Sequence, residues 1–104
     1  GIGATAATLT SRSPIDGQVL GEVPLAARAD YDGVVDAAVQ AFAAWRAVPA
    51  PRRGELVRRF GELVRRDKAR LAELITLEAG KIRSEAEGEV QEVIDVCDFA
   101  VGLS

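Results

Sequence analysis

The chain has 104 residues, a length that fits one small domain. Hydrophobic residues make up 48% of it, and the net charge of −3 creates no global field favouring nucleic acid or an anionic membrane. No apolar run reaches the length of a membrane span, so we expect neither nucleic acid nor a membrane as a partner.

Cysteine and histidine usage limits the chemistry further. The single cysteine excludes an intramolecular disulfide and is typical of a reducing compartment, so we expect a cytoplasmic protein. Because the chain has no histidine, we expect neither a zinc site nor a Cys-His pair. Residues 1–6 are small, and the first ten residues lack the basic and apolar regions of a signal peptide.

The beginning of the chain predicts a β-hairpin. Residues 8–12 alternate and contain threonines, as in a short strand, and residues 18–23 follow as a second strand. Between them, Pro14-Ile15-Asp16-Gly17 has turn chemistry, because proline presets its own φ and glycine accepts a positive one. The glycines of Gly1-Ile2-Gly3 do not begin a phosphate loop, since a third glycine and the flanking strand and helix are missing.

The rest of the chain predicts four helices, from apolar residues spaced by three and four. The first runs from Asp30 to Arg46, and Pro51 suits the first turn of the second. The third begins at Asp67 and stops at Gly80. The fourth begins near Ser84, where Glu87 three residues later fits a capping box.

Each helix carries an apolar stripe that we expect to be buried. The stripes consist of Tyr31, Val34, Val35, Ala38, Phe42 and Trp45; Leu56, Val57, Phe60, Leu63 and Val64; Leu71, Leu74, Ile75 and Leu77; and Val90, Val93, Ile94, Cys97 and Val101. Gly61 lies in the middle of the second helix. It costs about 1 kcal/mol against alanine unless close helix packing requires it.

Charge is segregated along the chain. Residues 52–70 hold eight basic and three acidic residues, a balance of +5, and residues 73–98 hold eight acidic and two basic residues, a balance of −6. We expect solvated and mutually compensating faces, because exposed ion pairs are common and contribute little. The paired arginines in the first block have no exposed aromatic residues between them, so they do not predict a nucleic-acid interface.

Two stretches carry a family signature: A-F-A-A-W-R-A-V-P-A-P-R-R-G-E-L-V-R at residues 41–58, and G-K-I followed by G-E-V-Q-E-x-x-D-x-C-D-x-A-V-G-L-S at residues 80–104. They resemble the N-terminal region of NAD(P)-dependent aldehyde dehydrogenases. Within that superfamily they are most similar to the α-aminoadipic semialdehyde dehydrogenase (antiquitin) branch, whose bacterial members act as piperideine-6-carboxylate dehydrogenases. The resemblance extends from about Arg12 to Ser104, and two blocks in the right order make it specific.

The resemblance implies an α/β aldehyde dehydrogenase-like fold in the parent enzyme. Residues 1–104 would be the N-terminal part of its NAD(P)-binding domain, an incomplete domain. The chain itself would be mostly α, a hairpin followed by four helices, forming an outer layer against a parallel sheet that it lacks. The family assembles as dimers or tetramers, so a homo-oligomer is expected.

The resemblance also implies an activity for the full enzyme. It would oxidise an aldehyde, in this branch a semialdehyde from lysine breakdown, to the acid with NAD or NADP through a cysteine nucleophile. The catalytic cysteine, the general base, the oxyanion donor and the dinucleotide glycines are not in these 104 residues. We therefore expect the chain alone to be inactive and to bind no cofactor.

One residue is a candidate for substrate binding. By spacing alone, Glu92 is one of several acids, with Glu85, Glu89 and Asp95, on a solvated helix face. In the aminoadipate-semialdehyde branch, the glutamate of the G-E-V-Q-E motif helps to recognise the amino group of the substrate, and Glu92 matches it. A carboxylate at the lip of a pocket pairs well with an ammonium group. Glu89 and Gln91 have a weaker claim.

Two further residues have structural interpretations. Cys97 lies on the apolar stripe of the fourth helix, where burial would make its thiol inert, and it matches a helical position of the branch rather than the nucleophile. Lys81 follows the glycine of the G-K junction and could reach a carbonyl at the end of the preceding helix.

An alternative of another class remains open. Without a sheet, the apolar helix faces must be covered elsewhere, so the chain could be a helical interaction module that self-associates or docks on a partner. A fragment with no function of its own is a third possibility. The reading frame beyond Ser104 would separate these hypotheses.

Overall fold

The computed structural model describes residues 7–104 as a hairpin followed by four helices. The elements are β1 Thr8–Arg12, β2 Val19–Pro24, α1 Arg28–Trp45, α2 Ala50–Arg66, α3 Lys68–Ala79 and α4 Arg83–Leu103. The predicted number and order of elements are confirmed. The stretch Gly1-Ile2-Gly3 lies outside the described residues.

The two strands pair in an antiparallel register that aligns Leu9 with Val23, and an irregularity follows Ser11. The predicted turn is confirmed, because Gly17 has a φ of 76° and its N–H donates to the carbonyl of Ser13 at 2.9 Å. The buried Ser13 donates its own N–H to the carbonyl of Gln18 at 2.9 Å. These backbone bonds close the hairpin turn.

The core lies between α2, α3 and α4, and several of its residues are small. It consists of Val64, Ala72, Ala86, Val90 and Ile94, with Ile75 packed against it. Alanines at these positions let helix axes approach closely, so the three helices form a tight layer with few large side chains inside.

Helices α2 and α4 run antiparallel, and Gly61 lies at their contact. A Cβ placed on Gly61 would lie 3.0 Å from the Cβ of Cys97, tighter than most side-chain contacts, whereas a Cβ on Gly54 would meet the flexible side chain of Ser104. Close packing therefore requires a glycine in the middle of α2, as the condition on Gly61 anticipated.

Much of the predicted burial is wrong. Val64, Val90, Ile94 and Cys97 are buried as predicted, but many large stripe residues are exposed. The exposed members are Tyr31, Val34, Val35, Phe42, Trp45, Leu56, Phe60, Leu63, Leu71, Leu74, Leu77 and Val93. In α2, α3 and α4, small residues lie at many of the helix contacts and larger side chains point outward. Helix α1 has no extensive contact with another element, so its whole apolar stripe is exposed.

Two helices begin earlier than predicted, for local reasons. Helix α1 starts at Arg28 instead of Asp30, because the Asp30 carboxylate accepts the N–H of Ala27 at 2.8 Å from inside the first turn. Its end at Trp45 lies one residue before the predicted Arg46. A carboxylate is favourable throughout the first turn of a helix, so the position of Asp30 did not identify the first residue of α1.

The capping box predicted for α4 is wrong. The helix starts at Arg83 after the extended Ile82, and no side chain bonds to the free N–H groups at that end. Ser84 already lies within the first turn. Glu87 approaches Arg83 to 3.5 Å in an ion pair instead of returning to the backbone of Ser84.

The hairpin joins the helical layer at the junction of α3 and α4. Gly80 ends α3 in the left-handed region with φ 70°, which confirms the predicted helix end. A Cβ on Gly80 would lie 3.2 Å from the Cγ of Pro14 in the hairpin turn. The Ser11 hydroxyl donates to the Glu78 carboxylate at 2.7 Å, so the turn and β1 both contact the end of α3.

The assembled elements form a flat plate of 49 × 38 × 16 Å. Its radius of gyration is 17.6 Å, whereas a compact domain of this length has about 13 Å. None of the residues of α1 is buried. From residue 7 onward, none of the helices has the length and apolar character that a membrane span requires.

Candidate functional site

An open groove of about 420 Å³ lies between α2 and α4 and contains the candidate residue. It is lined by Phe60, Glu89, Glu92, Val93, Val96 and Cys97. Phe60, Val93, Val96 and Cys97 give it an apolar part, and the two glutamates add carboxylates. Such a groove suits a ligand with an apolar body and a cationic group.

Glu92 is exposed in this groove, and its carboxylate has no hydrogen bond or ion pair within residues 7–104. The other two polar residues of the G-E-V-Q-E stretch are engaged. Gln91 accepts a hydrogen bond from the ammonium group of Lys68 at 2.8 Å and donates one to Asp95 at 2.8 Å. Glu89 pairs with Lys81. Glu92 is thus the member of the motif whose carboxylate remains open to a ligand.

Lys81 does not reach the carbonyl groups that end α3, so that expectation is wrong. The α3 carbonyl of Thr76 is taken by the N–H of Gly80 at 3.0 Å, and the Lys81 ammonium donates to the carboxylate of Glu89. A full negative charge attracts the ammonium more strongly than a helix-end dipole does. The hydrogen bond to Glu89 raises the pKa of Lys81, so its charge is maintained.

Sequence reasoning missed the pairs that Lys81 and Lys68 form. Lys81 lies in the junction and Glu89 eight residues later in α4, whereas Lys68 and Gln91 are 23 residues apart. Helical spacing rules apply to residues three or four apart within one helix. Neither pair therefore has a recognisable pattern in the sequence.

Cys97 is buried, with 6% of its surface exposed, and it packs against Gly61. Its burial agrees with the structural interpretation. The buried side chain lines the groove together with the exposed Phe60 and Val96. Cys97 therefore contributes shape and contact between α2 and α4.

The basic block is compensated mainly within α2. Arg58 donates to Glu55 at 2.8 Å and also pairs with Glu62, and Arg59 donates to Glu55 at 3.1 Å. These hydrogen bonds, that from Arg58 first, lower the pKa of Glu55 to about 2. Arg65 reaches across to Asp98 of α4 at 3.3 Å. Ion pairs thus compensate the charge mostly within each block, and the pair of Arg65 with Asp98 joins the two blocks, so the predicted compensation of one block by the other is limited.

The described residues lack two patterns that are typical of metal and dinucleotide sites. From residue 7 onward, His, Cys, Asp and Glu form no group of three that could hold a metal ion. Strand β2 leads into α1 through Leu25-Ala26-Ala27, without the glycine turn that places a pyrophosphate at a helix N-terminus. No step of a reaction can be assigned to a cofactor held here.

Comparison with known proteins agrees with these features. The model of the aldehyde dehydrogenase family matches residues 2–104. The α-aminoadipic semialdehyde dehydrogenase of Bos taurus is 44% identical over 102 residues, which cover 98% of this chain and 19% of that protein. The aldehyde dehydrogenase family 7 member A1 of Pisum sativum is 46% identical over 101 residues, covering 97% and 20%.

A solved structure matches the whole plate. A point mutant of betaine aldehyde dehydrogenase from Staphylococcus aureus, in complex with NAD⁺, superposes with a TM-score of 0.93. The match covers 99% of this chain and 21% of that one, at 26% sequence identity. Arrangements of hairpin and helices like this one thus occur within complete aldehyde dehydrogenases.

The chain belongs to the aldehyde dehydrogenase family. Its relatives place it in the α-aminoadipic semialdehyde dehydrogenase (antiquitin) branch, which confirms the resemblance found in the sequence. The chain spans about a fifth of the length of the relatives that it matches.

Proposed function

We propose that residues 1–104 are the N-terminal part of the NAD(P)-binding domain of an enzyme that oxidises α-aminoadipic semialdehyde to the acid. The names of the relatives support this substrate class, and the NAD⁺ complex of the Staphylococcus aureus enzyme supports a nicotinamide cofactor. NAD or NADP would receive the hydride from the aldehyde carbon when bound. In this proposal the chain alone does not catalyse the reaction, because its single cysteine is buried in α4.

In this proposal Glu92 binds the substrate amino group. The observation that carries it is the exposed, uncommitted carboxylate in an open groove, beside Glu89 and Gln91 that are already paired. An ammonium group would donate charge-assisted hydrogen bonds to Glu92. The apolar side chains of Phe60, Val93 and Val96 would contact the methylene chain and thereby orient the aldehyde.

The test is Glu92→Gln in the full-length enzyme. Losing a hydrogen bond to a charged group costs about 1.5–3 kcal/mol, so kcat/KM for α-aminoadipic semialdehyde should fall about 10- to 150-fold. For hexanal, which has no amino group, kcat/KM should change by less than about threefold. Steady-state kinetics with both aldehydes checks this.

Glu87→Gln is the matched control. It removes the same charge from α4, but Glu87 does not line the groove and pairs with Arg83. It should leave the ratio of the two kcat/KM values unchanged. If Glu92→Gln reduces activity on both aldehydes equally, Glu92 does not recognise the amino group.

A second candidate function is the helical interaction module, favoured by the exposed apolar residues of α1 and α2. Intact mass spectrometry of the protein isolated from its source distinguishes the two. A mass several times 11.0 kDa supports the enzyme, and a mass of 11.0 kDa supports the module.

A further inference from the structure

Two carboxylates line the groove, but they differ in their surroundings. Glu89 and Glu92 are three positions apart on α4, so they are neighbours on one face of the helix. Lys81, from the junction before α4, donates to the carboxylate of Glu89. No described residue does the same for Glu92. The pair of Lys81 and Glu89 is therefore neutral, and the groove presents one net negative charge.

The charge of the groove matters for a substrate that is itself charged. A second free carboxylate at Glu89 would attract any cation further and would repel any anion in the groove. The semialdehyde proposed above is an amino acid, with an ammonium and a carboxylate at the same end. A groove with two negative charges would favour the ammonium but disfavour the neighbouring carboxylate.

We propose that Lys81 is a positioning residue that holds Glu89 in an ion pair, so that the groove carries a single net negative charge. This charge makes the enzyme discriminate among aldehydes by the charge at the end of the molecule opposite the aldehyde group. This inference rests on the proposed function. The side chains of Lys81 and Glu89 are each 43% exposed, so the pair is accessible to water and contributes little to stability. Its effect is on selectivity.

The test compares three aldehydes in the full-length enzyme at low ionic strength: betaine aldehyde as the cation, succinic semialdehyde as the anion and butanal as the neutral reference. Each kcat/KM is divided by that for butanal. A unit charge about 7 Å away in water changes binding by about threefold. Lys81→Met should raise the cation ratio about threefold and lower the anion ratio about threefold.

Glu89→Gln breaks the same ion pair but leaves the positive charge. It should shift both ratios in the opposite direction, and the double variant Lys81→Met/Glu89→Gln should restore them. Added 0.5 M salt should reduce all of these shifts. Arg83→Met removes a cation from a different ion pair on α4, outside the groove, and should leave both ratios unchanged.

The directions in which the kcat/KM ratios shift distinguish a role of Lys81 in charge selectivity from a purely structural role. If the two single variants move the ratios in the same direction, or if all three aldehydes change equally, the inference is overturned. Glu92→Gln measured in parallel separates it from the proposed function. If Lys81→Met and Glu89→Gln shift the two ratios in opposite directions, but Glu92→Gln lowers kcat/KM equally for α-aminoadipic semialdehyde and hexanal, only the role of Glu92 is rejected. If Glu92→Gln is selective for α-aminoadipic semialdehyde, but the two single variants do not shift the ratios in opposite directions, only the role of Lys81 is rejected.

Discussion

Single residues decide how closely the helices approach, and Gly61 is the clearest case. Its missing Cβ leaves room for Cys97, with 3.0 Å between the site of that atom and the Cβ of Cys97. Both atoms are attached directly to helix backbones, so neither can move aside without shifting α2 or α4. Because Cys97 also lines the groove, the shape of the groove depends on this contact.

Gly61→Val should destabilise the protein by about 1–3 kcal/mol, because overpacking forces the backbones apart. Thermal unfolding followed by circular dichroism measures this. Gly88→Ala is the control: nothing lies within 4 Å of its added Cβ, so it should be neutral or stabilising by up to about 1 kcal/mol. A Gly61→Val protein as stable as the wild type would show that α2 and α4 do not meet here.

At the scale of elements, α2 combines a glycine face toward α4 with a network of charges on its exposed side. Arg58 lies between Glu55 and Glu62, each within one helical turn, and Arg59 shares Glu55. Two guanidinium groups at one carboxylate explain why the pKa of Glu55 falls so far below its ordinary value of 4.5. The network is local to the helix and needs no partner element.

We predict that the Glu55 carboxyl titrates at about pH 2 in the folded protein. Because its folded pKa is depressed, its stabilising contribution is present above the ordinary pKa and is lost as pH falls through about 2. Carbon-detected NMR of the Glu55 carboxyl measures the titration. Arg58→Met should move the midpoint upward, and Arg66→Met, whose cation pairs with Asp67, should not. A wild-type midpoint near 4.5 would contradict the network.

At the scale of the whole molecule, the plate has two broad faces and a small core. Large apolar side chains of α1 and α2, among them Val34, Phe42 and Phe60, are more than half exposed. Exposed apolar surface of this extent is unusual for an isolated monomer and marks surfaces that contact other protein. A flat shape and a low share of buried residues are both expected of a chain whose broad faces contact other protein.

We therefore predict that the 104-residue chain, produced alone, self-associates and binds the dye ANS. Sedimentation equilibrium and dye fluorescence measure this. Phe42→Lys should weaken the association, and Gln40→Lys, which adds the same charge to α1 at a polar position, should have a smaller effect. A monomer that unfolds in one sharp transition and binds no dye would show that its three-helix core is sufficient.

The sequence by itself determined the secondary structure and the family of this protein. Apolar spacing and turn residues predicted the hairpin, the four helices and the helix end at Gly80, because each depends on residues close along the chain. The motifs at residues 41–58 and 80–104 identified the family. The match of these motifs to the family depends on the sequence alone and not on the tertiary contacts of the chain.

Tertiary structure decided which faces are buried and which charges meet. Periodicity shows that a helix has an apolar stripe, but small residues such as Gly61, Ala72 and Ala86 occupy the helix contacts and leave the larger side chains outside. Lys81 lies in the non-helical segment before α4 and pairs with Glu89, eight residues later in that helix. Contacts of this kind join residues that no helical spacing relates, so only the folded arrangement brings them together.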